Sequence, residues 1–147
     1  MNKNVPIKNP KTNNFIFGKI PEIKLSRGVY FPAGEITLLH GRHFGINKGF
    51  GVAHIWAEHS AELQKMGYDN INEVARYVSD IIVTGTPIYC EFENIRGNHR
   101  IAVIRGIFGA AILEQKVDAC NKVFYSVVTA FSNAKPHGTK IGSVAEI

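Results

Sequence analysis

Residues 40–59, HGRHFGINKGFGVAHIWAEH, decide how this chain is read, because they hold four of its six histidines, four glycines and two cations. Their second half has helical spacing. Val52, Ile55, Trp56, His59 and Leu63 fall on one stripe between Phe50 and Met66, and Gly67 follows as a stop, so an amphipathic helix is expected there. The first half, GRHFGINKGFG, is expected to be a glycine loop feeding that helix. Gly45, Gly49 and Gly51 let successive N–H groups turn to one side, the helix start adds positive dipole, and Arg42, His43 and Lys48 add charge. Such a loop suits a phosphodiester. It is not a P-loop, since the GxxxxGK spacing is absent.

Downstream, Asn70 is a good N-cap with Glu73 three residues on, and Ile71, Val74, Tyr77, Val78, Ile81 and Ile82 form the stripe of a second helix, ended by Gly85 and Pro87. The period then changes to two. Residues 87–95, 99–106, 110–115 and 123–131 read as four strands with connections short enough for antiparallel neighbours. Upstream, 22–31 and 35–40 are short alternating stretches separated by Pro32 and Gly34, a hairpin-like start. The expected fold class is α+β, with N-terminal helices packed on a C-terminal four-stranded antiparallel β-sheet. Asn, Lys and Pro dominate residues 1–14, which are expected to be a flexible basic lead-in to one domain over 15–147.

A length of 147 residues fits one domain, and no apolar run approaches the roughly 20 residues of a membrane-spanning helix. The polar N-terminus has no apolar run behind its lysines, so no secretory signal is expected on it. Cys90 and Cys120 form no CxxC, which points to free thiols rather than a metal cluster. Residues 1–50 carry eight cations against two anions, whereas the remaining 97 carry nine against ten. That concentration offers a basic surface to a polyanion.

His54 and His59 are five residues apart and point about 140° from each other on a helix, so they cannot chelate one metal. His59 falls on the apolar stripe and is expected to be a hydrogen-bonded core or interface histidine. His54 lies beside the glycine loop with Glu58 four residues on, where a carboxylate can orient an imidazole for proton transfer. Metal-independent RNA cleavage needs a base for the 2′-hydroxyl, an acid for the leaving 5′-oxygen, and cations or hydroxyls for the charge gathering on phosphorus. The chain offers His40, His43 and His54 upstream, and Arg96, His99, Arg100, Arg105, Ser126 and Thr129 on the strands.

The blocks GFGVAHIWAEH (49–59), NHRIAVIRG (98–106) and YSVVTAF (125–131) resemble, in order, those of toxin and phage-encoded nucleases of the barnase/EndoU/colicin/RelE-like superfamily. The resemblance implies helices on an antiparallel sheet and cleavage that leaves a 2′,3′-cyclic phosphate, without cofactor or metal. It implies an RNA substrate, often tRNA, a cognate immunity protein, and secretion or delivery by a larger effector into a target-cell cytoplasm. A host protein that activates or presents the RNA is a further expected partner. By position, His54 takes the family's helix histidine, Arg100 its strand arginine and Thr129 its terminal-strand hydroxyl. His43 is inferred from chemistry as the second acid/base, and Arg42, Lys48, Arg96 and Ser126 are expected to bind substrate. Two alternatives remain: a non-catalytic RNA-binding or interaction module, and an ADP-ribosyltransferase toxin, suggested by Glu91-x-Glu93 but lacking a Ser-Thr-Ser strand before it.

Overall fold

The computed structural model describes residues 2–92, 100–136 and 138–147, and for Arg27 the backbone alone. Strands precede the helices. In chain order they are β1 (Gly18–Ile20), β2 (Ile23–Lys24), β3 (Tyr30–Phe31), β4 (Gly34–Thr37), β5 (Arg42–Gly45) and β6 (Lys48–Phe50). Helices α1 (Gly51–Lys65) and α2 (Val74–Ile81) follow. After them come β7 (Pro87–Cys90), β8 (Arg100–Arg105), β9 (Gly109–Val117), β10 (Val123–Phe131) and β11 (Thr139–Ser143).

The expected four-stranded sheet under N-terminal helices is therefore corrected. Strands β7 to β10 do pair consecutively and antiparallel, but they are the middle of a seven-stranded sheet ordered β1-β4-β10-β9-β8-β7-β11. The added strands come from both ends of the sequence, and β4 lies parallel to β10. A parallel partner 86 or more residues away leaves no local signature, because no short turn joins the two. At one end the sheet's margins meet: Ala145, just past β11, bridges Lys19 of β1. Strands β2 and β3 form a separate ribbon, and so do β5 and β6.

Strand alternation divides the sheet into two faces. Ile36, Leu113, Tyr125, Val127, Ile101, Val103 and Ile88 are buried together with Tyr77, Val78 and Ile81 of α2 in a single apolar cluster. The opposite face is ordered into rows by the register. One row runs Thr37–Ser126–Glu114–Arg100 across β4, β10, β9 and β8. The next runs Thr129–Ile112–Ala102–Tyr89, and a third holds Phe131, Ala110 and Ile104. Between the first two rows β10 carries a bulge at Val127–Thr129, which re-aims the strand where α1 packs along it.

The segment expected to be a flexible lead-in lies along the body. Ile7 N–H donates to Leu38 O, His40 N–H to Val5 O and Gly41 N–H to Lys3 O, while the Lys11 ammonium reaches Asp80 at 2.9 Å. The glycine loop is a hairpin, β5–β6, turning through Ile46 and Asn47, with Asn47 in the left-handed region. Its root needs Gly41. With φ +74°, a Cβ there would overlap the Phe50 carbonyl.

Gly67, just past α1, also has positive φ (+94°) but open space around a built Cβ. Gly67→Ala should cost only the left-handed penalty of roughly 1–2 kcal/mol. Gly41→Ala, with the backbone overlap added, should lower the denaturant midpoint clearly further. Equal midpoints in urea titrations would mean that the hairpin is not seated as described.

Candidate active site

Hairpin and helix are joined through one carboxylate. Glu58 Oε1 lies 3.2 Å from His54 Nε2, four residues back on α1, and Glu58 Oε2 accepts the Asn47 N–H at 3.2 Å from the hairpin turn. The other His54 ring nitrogen, Nδ1, lies 3.0 Å from Nδ1 of His43 on β5, with the rings stacked at 5.2 Å. The approach is possible because the β6 residue opposite His43 is Gly49, where a Cβ would stand 2.7 Å from His54 Nδ1. The glycine is there to admit an imidazole.

Proton positions follow from the partners. An ionised Glu58 only accepts, so His54 carries its proton on Nε2. Neutral His54 then offers a lone pair at Nδ1, and His43 must donate to it through Nδ1–H. That leaves Nε2 of His43, an exposed residue, as a free base. His54 is 3% exposed, and burial, opposed by Glu58 and reinforced by the His43, His59 and Arg100 charges, holds its pKa below the usual histidine range. The three residues form a relay: Glu58 orients His54, and His54 orients His43.

Beside Gly49 opens a cleft of about 450 Å³ between the hairpin, the N-terminal segment and the sheet's charged row. Lys3, Arg100, Lys116 and Ser126 line it with Glu114 among them. Arg100 Nε and Lys116 Nζ reach the two oxygens of Glu114 at 2.9 and 2.7 Å, and these cations hold its carboxyl below the usual range although burial opposes them. Ser126 is 3% exposed and contributes the hydroxyl of the charged row.

Of the residues expected at a site, the structure brings His43 and His54 into contact, and Arg100 and Ser126 into the adjoining cleft. Sharing one hydrogen bond, the two histidines form one coupled pair and do not stand apart as two groups that could flank a phosphate from opposite sides. Thr129 Oγ1 is buried without a hydrogen-bond partner in the apolar row, one row from Ser126. Arg42 and Lys48 are exposed on the hairpin, Arg42 lying 5.3 Å from the Phe44 ring. His40 faces a separate hollow of about 160 Å³ with Ile7, Val52 and Ile71. His59 pairs with Glu62 at 3.1 Å and stacks on Phe131. Arg105 bonds the Asp80 carbonyl. Glu93, Arg96 and His99 lie outside the described residues.

The helix start is not a free anion cradle, because the Val52 and Ala53 N–H groups already donate to Leu39 O and His40 O. Three cleft residues escaped the sequence reading: Lys3, Glu114 and Lys116. For the last two a signal existed, since alternation about Leu113 in AAILEQKV places both on the face opposite the core. No protein-family model, curated protein or solved structure matches the chain.

A histidine whose folded pKa lies below the unfolded value, about 6.5, leaves stability intact above that pH. Below it the unfolded chain takes up the proton first, so stability falls with pH until the lowered value is passed. The denaturant midpoint should therefore drop between pH 7.5 and 5.5, and His54→Gln should flatten that drop. Asp80 and Glu114, with lowered carboxyl values, act only in the lower window around pH 4. An unchanged slope in the variant would remove His54 as the buried neutral group.

Proposed function

We propose that the chain is a metal-independent endoribonuclease, and the observation that carries this is an oriented imidazole, His43, paired across the hairpin with Gly49, which lines a cationic cleft. The fold implied by the family resemblance is not the one the chain has, so the proposal stands on the site. His43 Nε2 takes the 2′-hydroxyl proton, and the 2′-oxygen bonds to phosphorus as the bond to the 5′-oxygen breaks, leaving a 2′,3′-cyclic phosphate. Proton uptake makes His43 an imidazolium whose Nδ1–H still donates to His54, with the Glu58 carboxylate behind it. Arg100, Lys116 and Lys3 neutralise the charge that gathers on the phosphoryl oxygens, and the Ser126 hydroxyl donates to one of them. The departing 5′-oxygen takes its proton from a lysine ammonium of the cleft, Lys3 or Lys116, and exchange with solvent then returns His43 to neutral and the amine to ammonium.

His43 is thus the catalytic base, and His54 and Glu58 are positioning residues. The choice of tRNA, restraint by an immunity protein and delivery into a target cell belong to the same proposal, and what supports them is the resemblance of residues 49–59. No helix among the described residues is long and apolar enough to cross a membrane.

The purified chain should cut tRNA or total RNA in EDTA and leave cyclic phosphate ends. His43→Ala and His54→Ala should each lower kcat by at least ~100-fold. Because the two act as one relay, the double variant should be little worse than either single one. Multiplicative losses would separate the two histidines. Wild-type protein that binds RNA in a salt-dependent way but never cuts it, with His43→Ala indistinguishable, would replace the enzyme reading by the binding-module alternative.

A further inference from the structure

We infer that the hollow next to the phosphate cleft is a nucleobase subsite, which grips the base of the nucleotide whose phosphate lies against Arg100, Lys116 and Ser126. The inference rests on the ribonuclease reading above and extends it to how the substrate is held.

The hollow has a volume of about 330 Å³, on the same sheet face as the cleft. Its floor is the apolar part of that face. Ala102 and Ile112 stand side by side in the second row, with Tyr89 beside Ala102, and Phe131 lies in the third row next to Ala110. The space exists because Ala102 and Ala110 put a single methyl where a strand usually carries a branched or aromatic side chain. Tyr89 and Phe131 give it aromatic walls, and Glu91, Asn133 and Lys135 add polar groups to its lining. A small apolar chamber with a few polar groups is the usual build of a site for a flat ligand.

Arg100 connects the two spaces, since it lines both the hollow and the cleft. On β10 the bulge absorbs the third residue between Ser126 and Thr129, and on β8 and β9 the charged row and the apolar row are two residues apart, or roughly 6.8 Å at antiparallel rise. That matches the reach from a phosphate across its ribose to the base. A nucleotide lying along the strands would put its phosphate on Arg100 and its base on Ala102 and Ile112, where the aromatic walls favour stacking. Phe131 is already backed by the His59 ring, centroid to centroid 5.6 Å, which fixes that wall. Only an unpaired base can enter, so the subsite selects single-stranded positions over duplex.

The test uses ligands that cannot be cleaved. The full chain is titrated calorimetrically with each 2′-deoxynucleoside 3′-monophosphate and with inorganic phosphate. At least one nucleotide should bind about tenfold or more tighter than phosphate, the scale of one stacked base. Ala102→Trp, which fills the hollow, should reduce that nucleotide to the phosphate level while leaving phosphate binding unchanged, which also shows that the variant folds. Tyr89→Ala should lose most of the same preference by removing a wall. Wild-type binding of nucleotide no tighter than phosphate, or a preference that survives in Ala102→Trp, would overturn the subsite. Cleavage of RNA alongside equal binding would leave the ribonuclease standing without it. A nucleotide preference that disappears in Ala102→Trp, in a protein that never cuts RNA, would keep the subsite and sink the enzyme.

Discussion

The Glu58 carboxylate is the constraint on which the site depends. One oxygen faces the His54 imidazole and the other accepts the Asn47 N–H, so the same group orients a buried ring and pins the turn of a hairpin more than ten residues upstream. At the root the helix start is tied to the chain before the hairpin by Val52 and Ala53 N–H, and nearer the tip the Glu58 pin and the His43–His54 contact register the hairpin over the helix. Without the orientation, the two imidazoles would have no fixed direction for the proton between them. Burial contributes the third condition, because it disfavours charge on His54 and so keeps its lone pair available.

The sheet supplies what the relay lacks. Its outer face changes along β8 and β9 from charged to apolar within two residues, and Arg100 stands at the boundary. Glu114 tempers this surface: paired with both Arg100 and Lys116, it keeps the empty cleft from being a bare cationic patch and fixes where the two side chains point. On the ribonuclease reading proposed above, an incoming phosphate would compete with a carboxylate already in place, trading affinity for geometry and so favouring product release.

Much of this was legible in the sequence where the signal is local. The stripe from Val52 to Leu63 gave α1, Asn70 capped the next turn through Asn72 N–H, and strict alternation gave β7 to β10. What escaped depended on distant pairing. Glu35, Ile36 and Thr37 showed a strand but not that it would lie parallel to β10, and residues 3–7 showed nothing of the carbonyl and amide partners waiting at 38–41. The hairpin was misread for a different reason. Its glycines suggest a phosphate nest, whereas Gly41 and Gly49 are required by close contacts with Phe50, Arg42 and His54. Sequence singled out His43 and His54, but which of them faces solvent follows only from the helix burying one and the hairpin exposing the other.

The most direct measurement is the protonation pattern of the two rings, read from long-range nitrogen–proton correlation spectra of ¹⁵N-histidine-labelled protein near pH 7.5. The account requires His54 to carry its hydrogen on Nε2 and His43 to carry its hydrogen on Nδ1, with Glu58→Gln disturbing both signals. His43 found as the Nε2–H tautomer, with a bare Nδ1, would contradict it, because the exposed nitrogen would then be a donor with no lone pair to take a proton.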